Sequence, residues 1–213
     1  MIHFICSIPV DDIFAGMSVY ESFDLVSSGE KNAPLSPEGK KNLRSFKFNF
    51  PIKHIKKVFT APMGQTHESG KLIVATRTNE APLHSVQGLI NIRFRMADLL
   101  SRKEFESLPY GEAANAARQA FAEKFFDGAL SENRQTFENR IRILLKNLSF
   151  EKGELLCIGH AFHLKVMEIY LNRPFAFQNR EDFIAAFEPA RRPFAPLEGF
   201  SISQARIAQR LRE

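Results

Sequence analysis

The chain has 213 residues, 44% of them hydrophobic and 25% charged, with 21 Phe and no Trp. That length and apolar fraction exclude an intrinsically disordered chain and suit one domain with a full core. The net charge of +5 is moderate, so its distribution says more about partners than its size does.

The first strand is expected at Ile2–Cys6, a short apolar run ended by "SIPVDD". A loop containing Ser, Gly and Asn then extends to Pro34. "LSPEGKKNLRSF" opens a helix: Ser36 can cap free amides, and Pro37 suits the first helical position. Leu43, Phe46 and Phe50 follow at i, i+3 and i+7, predicting one buried stripe. Phe46, Phe48 and Phe50 also alternate around Lys47, as in a base-stacking strand, but the cap and the helical period favour core packing. "HIKKVFTAP" reads as a second strand stopped by Pro62, followed by a turn and a helix around Gly70–Arg77. "PLHSVQGLINIRF" contains a further short strand. Helical patterns cover Glu112–Asp127 and Arg134–Leu148. Glu154–Gly159 is the clearest buried strand, with a helix over His160–Leu171 behind it. Residues 174–200 are rich in Pro and Phe without a firm period, and Ser201–Arg212 reads as a basic terminal helix.

Cys6 and Cys157 both lie in apolar runs and show no metal-ligand spacing, so a reduced, cytoplasmic chain is the simplest reading. The opening "MIHFICSIPVDD" has no basic n-region and reaches Asp11 and Asp12 too soon for a signal peptide. No apolar run approaches the ~18 residues of a membrane span. Basic residues cluster: Lys31, Lys40, Lys41, Arg44, Lys47, Lys53, Lys56 and Lys57 face Glu38 alone between Lys31 and Lys57. A second group comprises Arg191, Arg192, Arg206, Arg210 and Arg212. Such patches attract nucleic acid, phosphorylated metabolites or acidic proteins, and they equally describe solvated helix faces.

Strands alternating with helices predict an α/β fold, a three-layer α/β/α sandwich on a mostly parallel sheet. Ligands bind such sheets beyond the carboxyl ends of the strands. Cys6-Ser7, Thr60-Ala61-Pro62 and Gly159-His160 should therefore converge on one crevice. No repeat, linker or composition break divides residues 1–213, which predicts a single domain.

Four segments together resemble the histidine phosphatase superfamily, the phosphoglycerate mutase-like proteins. "APLSPEGKKNLRSF" is similar to the family's "pLTpxGxxQA", and "KKVFTAPMGQTHESGKLIV" to its "vytSPLxRAxqTAxxi". "ENRQTFENRIRILLKNL" is similar to "GESxxxFxxRvxxxL", and "LLCIGHAFHLKVMEIYL" to "vlvVsHgxxixxll". The segments occur in the family's order over residues 1–172; residues 173–213 resemble nothing specific. The resemblance implies a first strand ending in Arg-His-Gly, whose His attacks phosphorus. That Arg, a second Arg and a second His would clamp the phosphoryl oxygens, while a carboxylate protonates the leaving group.

This chain departs from that set. "HFICSIPV" puts Cys6 at the Arg position, Ser7 at the nucleophilic His and Ile8 at the Gly. Gln65 stands where the second Arg should be, and Asn91 stands at the acid, with Asp98 nearby. Only His160 remains, at a strand-to-helix corner suited to anions. Ser7 with His160 as base, or Cys6 by a thiol route, are the non-standard alternatives. "CSIPVDD" however lacks the Gly-rich turn and Arg of a thiol phosphatase loop, and it places Asp11 and Asp12 where they would repel phosphate. His67 and Glu68 read as an exposed helix start. His160 and His163 share a helix face, but no third ligand completes a metal set, so neither metal nor cofactor is expected.

The resemblance thus implies a catalytically degenerate relative with a remnant pocket of Ser7, Cys6, Gln65, Asn91, His160 and Ala161, serving a binding or regulatory role. A small polar or weakly anionic ligand, or a protein partner, would suit it. The alternatives are an active phosphomonoesterase with non-standard residues, and a protein- or nucleic-acid-binding module on the Lys31–Lys57 face.

Overall fold

The computed structural model describes residues 1–11, 14–62 and 64–213; Asp12 of the Asp11–Asp12 pair, Ile13 and Met63 lie outside the described residues. In chain order the elements are β1 (Ile2–Cys6), α1 (Val19–Ser28), α2 (Pro37–Ser45), β2 (Ile55–Thr60), α3 (Gln65–Arg77) and β3 (Leu83–Ser85). Then come α4 (Met96–Leu99), α5 (Arg102–Ser107), α6 (Tyr110–Phe126), α7 (Arg134–Ser149), β4 (Glu154–Gly159) and α8 (Ala161–Asn172). The chain ends with α9 (Pro174–Gln178), α10 (Arg180–Phe187), β5 (Gly199–Ile202) and α11 (Gln204–Arg212).

The strands form one sheet in the order β3-β2-β4-β1-β5, parallel throughout except for β5, which runs antiparallel to β1 at the edge. Helices cover both faces, giving the expected three-layer sandwich. Period-two alternation divides the core. Ile2, Phe4, Cys6, Leu155 and Cys157 face a Phe-rich cluster built with α6, α7, α8 and α10. Ile5, Leu156 and Ile158 face a smaller aliphatic cluster with Leu43 of α2 and Ile73 of α3. Phe121 shows how the missing Trp is made good: its ring packs on those of Phe94, Phe125, Phe162 and Phe187. Among the described residues no helix is long and apolar enough to cross a membrane.

Several expectations need correction. The stretch read as loop before Pro34 contains α1, started by a reciprocal cap in which Ser18 Oγ accepts from Glu21 N and Glu21 accepts from Ser18 N. α2 stops at Ser45, so Leu43, Phe46 and Phe50 form no helical stripe. Phe46, Phe48 and Phe50 instead alternate along a non-helical segment, half-buried against the aliphatic cluster. Arg77 holds that segment by donating to the Leu43 and Phe46 carbonyls. Their rings contact one another, and Phe50 stacks on His3 at 4.1 Å, so packing rather than base stacking occupies these faces. α3 begins at Gln65, well before Gly70. The unperiodic residues 174–200 contain α9, α10 and the start of β5, while Ser201 belongs to β5 and Ser203 caps α11.

His3 fastens three strands together. Its Nδ1 meets Ser201 Oγ on β5 at 2.7 Å, and its Nε2 meets Glu154 Oε2 on β4 at 2.6 Å. Backbone closeness matters equally at this edge, because a Cβ on Gly199 would collide with the Phe4 carbonyl oxygen. Gly199→Ala should therefore lower stability by about 2 kcal/mol or more, read as a fall in the urea midpoint. An unchanged midpoint would contradict the close pairing of β5 with β1.

Candidate functional site

Cys6 lies opposite Gly159 in the parallel β1–β4 pair, and Ser7 N donates to Gly159 O at 3.0 Å. With β2 on the other side of β4, the carboxyl ends of three strands open at one edge. Two cavities lie there. The first, about 210 Å³, is walled by Ala61, Pro62, Gly64 and Gln65 after β2, by Gln87, Ile90, Asn91 and Arg93 after β3, by the end of α1 through Ala33, and by His160. The second, about 480 Å³, is largely aromatic and shares Ser27, Asn91 and His160 with the first.

His160 is the N-cap residue of α8, its backbone extended and its side chain making no cap bond. Gly64 occupies the same place for α3, also without a side-chain cap. Two uncapped helix N-termini thus meet at the first cavity, where free amides and the helix dipoles favour negative charge. Burial holds the His160 pKa down at about 4, so its imidazole is neutral at physiological pH. Gln65 lines this cavity while its Nε2 donates to Ile8 O at 2.8 Å. Asn91 sits at the junction of the cavities, and its Oδ1 is buried without a hydrogen-bond partner. Ala161 lines the second cavity only.

Cys6 and Ser7 are brought to the strand end but line neither cavity. The alternation of β1 turns Cys6 into the Phe-rich core, where burial pushes its thiol up to about 11 against the field of Arg192. Ser7 is 2% exposed, and its Oγ, like Asn91 Oδ1, has no partner, His160 included. Ile8 packs against the other cluster, tight against Gly39.

Other candidates are committed elsewhere. Asp98 accepts from Arg95 N at 2.9 Å as the cap of α4. His67 Nδ1 meets Thr60 Oγ1 at 3.2 Å, and Glu68 pairs with Lys71 at 2.9 Å. His163 is wholly buried edge-on to Phe137. Among the described residues no three His, Cys, Asp or Glu side chains gather as metal ligands.

The pocket expected to be neutral is cationic. Lys31 and Arg93 line the first cavity, and Arg118 of α6 and Arg192 of the loop after α10 line the second. Among the described residues no carboxylate side chain lines either one. Arg93 lies over Gly29, whose positive φ of 77° ends α1 and whose missing side chain leaves the guanidinium room. Arg192 lies near enough for its charge to act on the Cys6 thiol. Reading by motif position missed these groups because they come from α1's exit, the β3–α4 loop, α6 and the tail. Only the presence of Lys31 and Arg192 in basic clusters hinted at two of them.

No protein-family model matches the chain, and no curated protein matches it by sequence. Solved structures do match by shape. Phosphoglycerate mutase from Bacillus anthracis superposes with a TM-score of 0.52 at 12% identity, over 98% of this chain and 95% of that one. The α-ribazole phosphatase from Shigella flexneri gives 0.54 at 16% identity, over 85% and 82%. The chain has the phosphoglycerate mutase-like fold, with a five-stranded, mostly parallel sheet between helical layers.

The His160 ring protons should titrate near pH 4 in NMR spectra, below the usual ~6.5. Because the unfolded chain takes up that proton first, the residue's contribution to stability is complete above about pH 6.5 and is lost as pH falls toward 4. His160→Asn should flatten that part of the stability curve. A titration near 6.5 would place the ring in solvent or beside an anionic partner.

Proposed function

We propose that the chain is a catalytically silent, histidine phosphatase-like protein that binds a small anionic ligand beside His160 and acts by binding or regulation. The supporting observation is the set of Lys31, Arg93, Arg118 and Arg192 around two joined cavities that no carboxylate lines among the described residues. Like charges gathered around a concave space favour an anion, an attraction that water screens at the exposed Lys31, Arg93 and Arg192. The structural neighbours are named for a mutase of a phosphoglycerate and a phosphatase, which makes a phosphate ester the first ligand class to consider.

Phosphoryl transfer needs more than charge. It needs a nucleophile, and a proton for a poor leaving group. A thiol raised to about 11 stays protonated at neutral pH, and Ser7 Oγ has no base within hydrogen-bond reach. His160 is neutral, Asn91 cannot supply a proton as a carboxylic acid does, and Asp98 already caps a helix. Neutral imidazole is itself nucleophilic, so what the cavity lacks among the described residues is an acid to protonate the leaving group. The basic Lys31–Lys57 face fits nucleic acid less well, since Phe46, Phe48 and Phe50 pack against the core, and Lys57 pairs with Glu151.

With p-nitrophenyl phosphate the protein should release no more product than its His160→Ala variant. The affinity for inorganic phosphate should follow only the ligand's own second ionisation between pH 6 and 8, because the cations, not His160, carry the charge. Arg93→Ser should weaken that binding about tenfold, by calorimetry. Robust turnover abolished by His160→Ala would instead establish an active phosphomonoesterase.

A further inference from the structure

The second cavity is more than twice the volume of the first, and its chemistry differs. Phe23, Phe94, Phe105, Tyr110 and Phe162 come to it from α1, the β3–α4 loop, α5, α6 and α8. Phe94 and Phe162 lie nearly parallel, with ring centroids 5.9 Å apart, while Tyr110 is 61% exposed and rests on Phe23. An aromatic-walled space of this size accommodates a ring system rather than a phosphate ion.

Apart from the Tyr110 hydroxyl, its polar side chains gather at two places, Ser27, Asn91 and His160 at the junction and the arginines beyond. Asn91 Oδ1 stands at the junction with the first cavity, buried and lacking a donor. Arg118 and Arg192 line the aromatic cavity itself. Arg118 is positioned by its Nε donating to Pro189 O at 2.7 Å, which ties α6 to the loop carrying Arg192. The Arg192 charge bears on Arg118, and among the described residues no carboxylate lines the cavity to offset the pair. Two guanidinium groups that repel one another are relieved by an anion that bridges them.

We infer that the two cavities form one site for a single elongated ligand. An aromatic body occupies the Phe-lined cavity, one anionic group meets Lys31 and Arg93, and a second anionic group meets Arg118 and Arg192. An N–H or O–H donor near the first anionic group would satisfy Asn91 Oδ1. The inference rests on the anion-binding reading above and adds to it the size, aromaticity and second charge of the ligand.

Calorimetry with inorganic phosphate, phenylphosphonate and 4-carboxyphenylphosphonate tests it; the C–P bond removes ester hydrolysis from the measurement. Affinity should rise about tenfold on adding the ring and again on adding the carboxylate. Ala114→Trp, which fills the aromatic cavity from a half-buried position on α6, should abolish both gains and leave phosphate binding intact. Arg192→Gln, in an exposed loop where folding is not at stake, should abolish only the carboxylate gain. If phosphate binds through Arg93 but neither substituent adds affinity, the spanning ligand is refuted and the anion site stands. If Arg93→Ser changes the binding of no probe, the anion site and the spanning ligand are refuted together.

Discussion

Parallel pairing of β1 with β4 is the constraint from which the site follows. Because both strands run the same way and Cys6 meets Gly159, the chain must leave the sheet twice at one edge, once toward Pro9 and once into α8. β2, parallel on the far side of β4, adds its own exit through Gly64 into α3. Parallel strands cannot be joined by hairpins, so the long connections between them are available to wall a cavity at that edge. The loop after β3, the end of α1, α6 and the segment after α10 all do so here. The antiparallel β5, locked by Gly199 and His3, anchors the return of that last segment.

Charge is the second theme. Most arginines in the chain are neutralised or committed: Arg95 to Asp24 and Glu30, Arg140 to Glu132, and Arg180 to Asp127. The cavity cations differ, since among the described residues no acidic side chain lines the space they face. In a protein with 24 Asp and Glu residues, such segregation sets the site apart from the rest of the surface. On the proposed reading, the cavity attracts anions and does not split an ester. Holding charge and moving protons are separable properties. Loop residues can supply guanidinium groups from almost anywhere, whereas a nucleophile must stand at one place with a base beside it.

Much of the framework was legible in the residues. β1, β2 and β4 are apolar runs with clear stops, and Ser36-Pro37 announces the start of α2 without ambiguity. α6 and α7 keep a helical period, and His160 falls at the predicted corner. Elsewhere the local signals were thin or compatible with two structures. "SVYE" carries the cap of α1, yet the Ser, Gly and Asn residues around the helix read as a loop and outweighed it. Phe46 and Phe50 satisfy both a helical and an alternating period, and tertiary contacts with Arg77 and His3 decide between them. The charge of the cavity could not be read at all from motif positions. Arg93, Arg118 and Arg192 are distant along the chain, and only folding brings them to His160.

Where an anion settles, and whether it remains unattached, decides between binding and chemistry. A crystal structure of the protein grown with tungstate measures both at once. The account predicts density for the ion between Lys31 and Arg93, close to His160 and the first amides of α3 and α8, with no covalent bond to the protein. An ion bonded to His160, Ser7 or Cys6, or an empty cavity with the ion on the outer Lys40–Lys57 face, would contradict it.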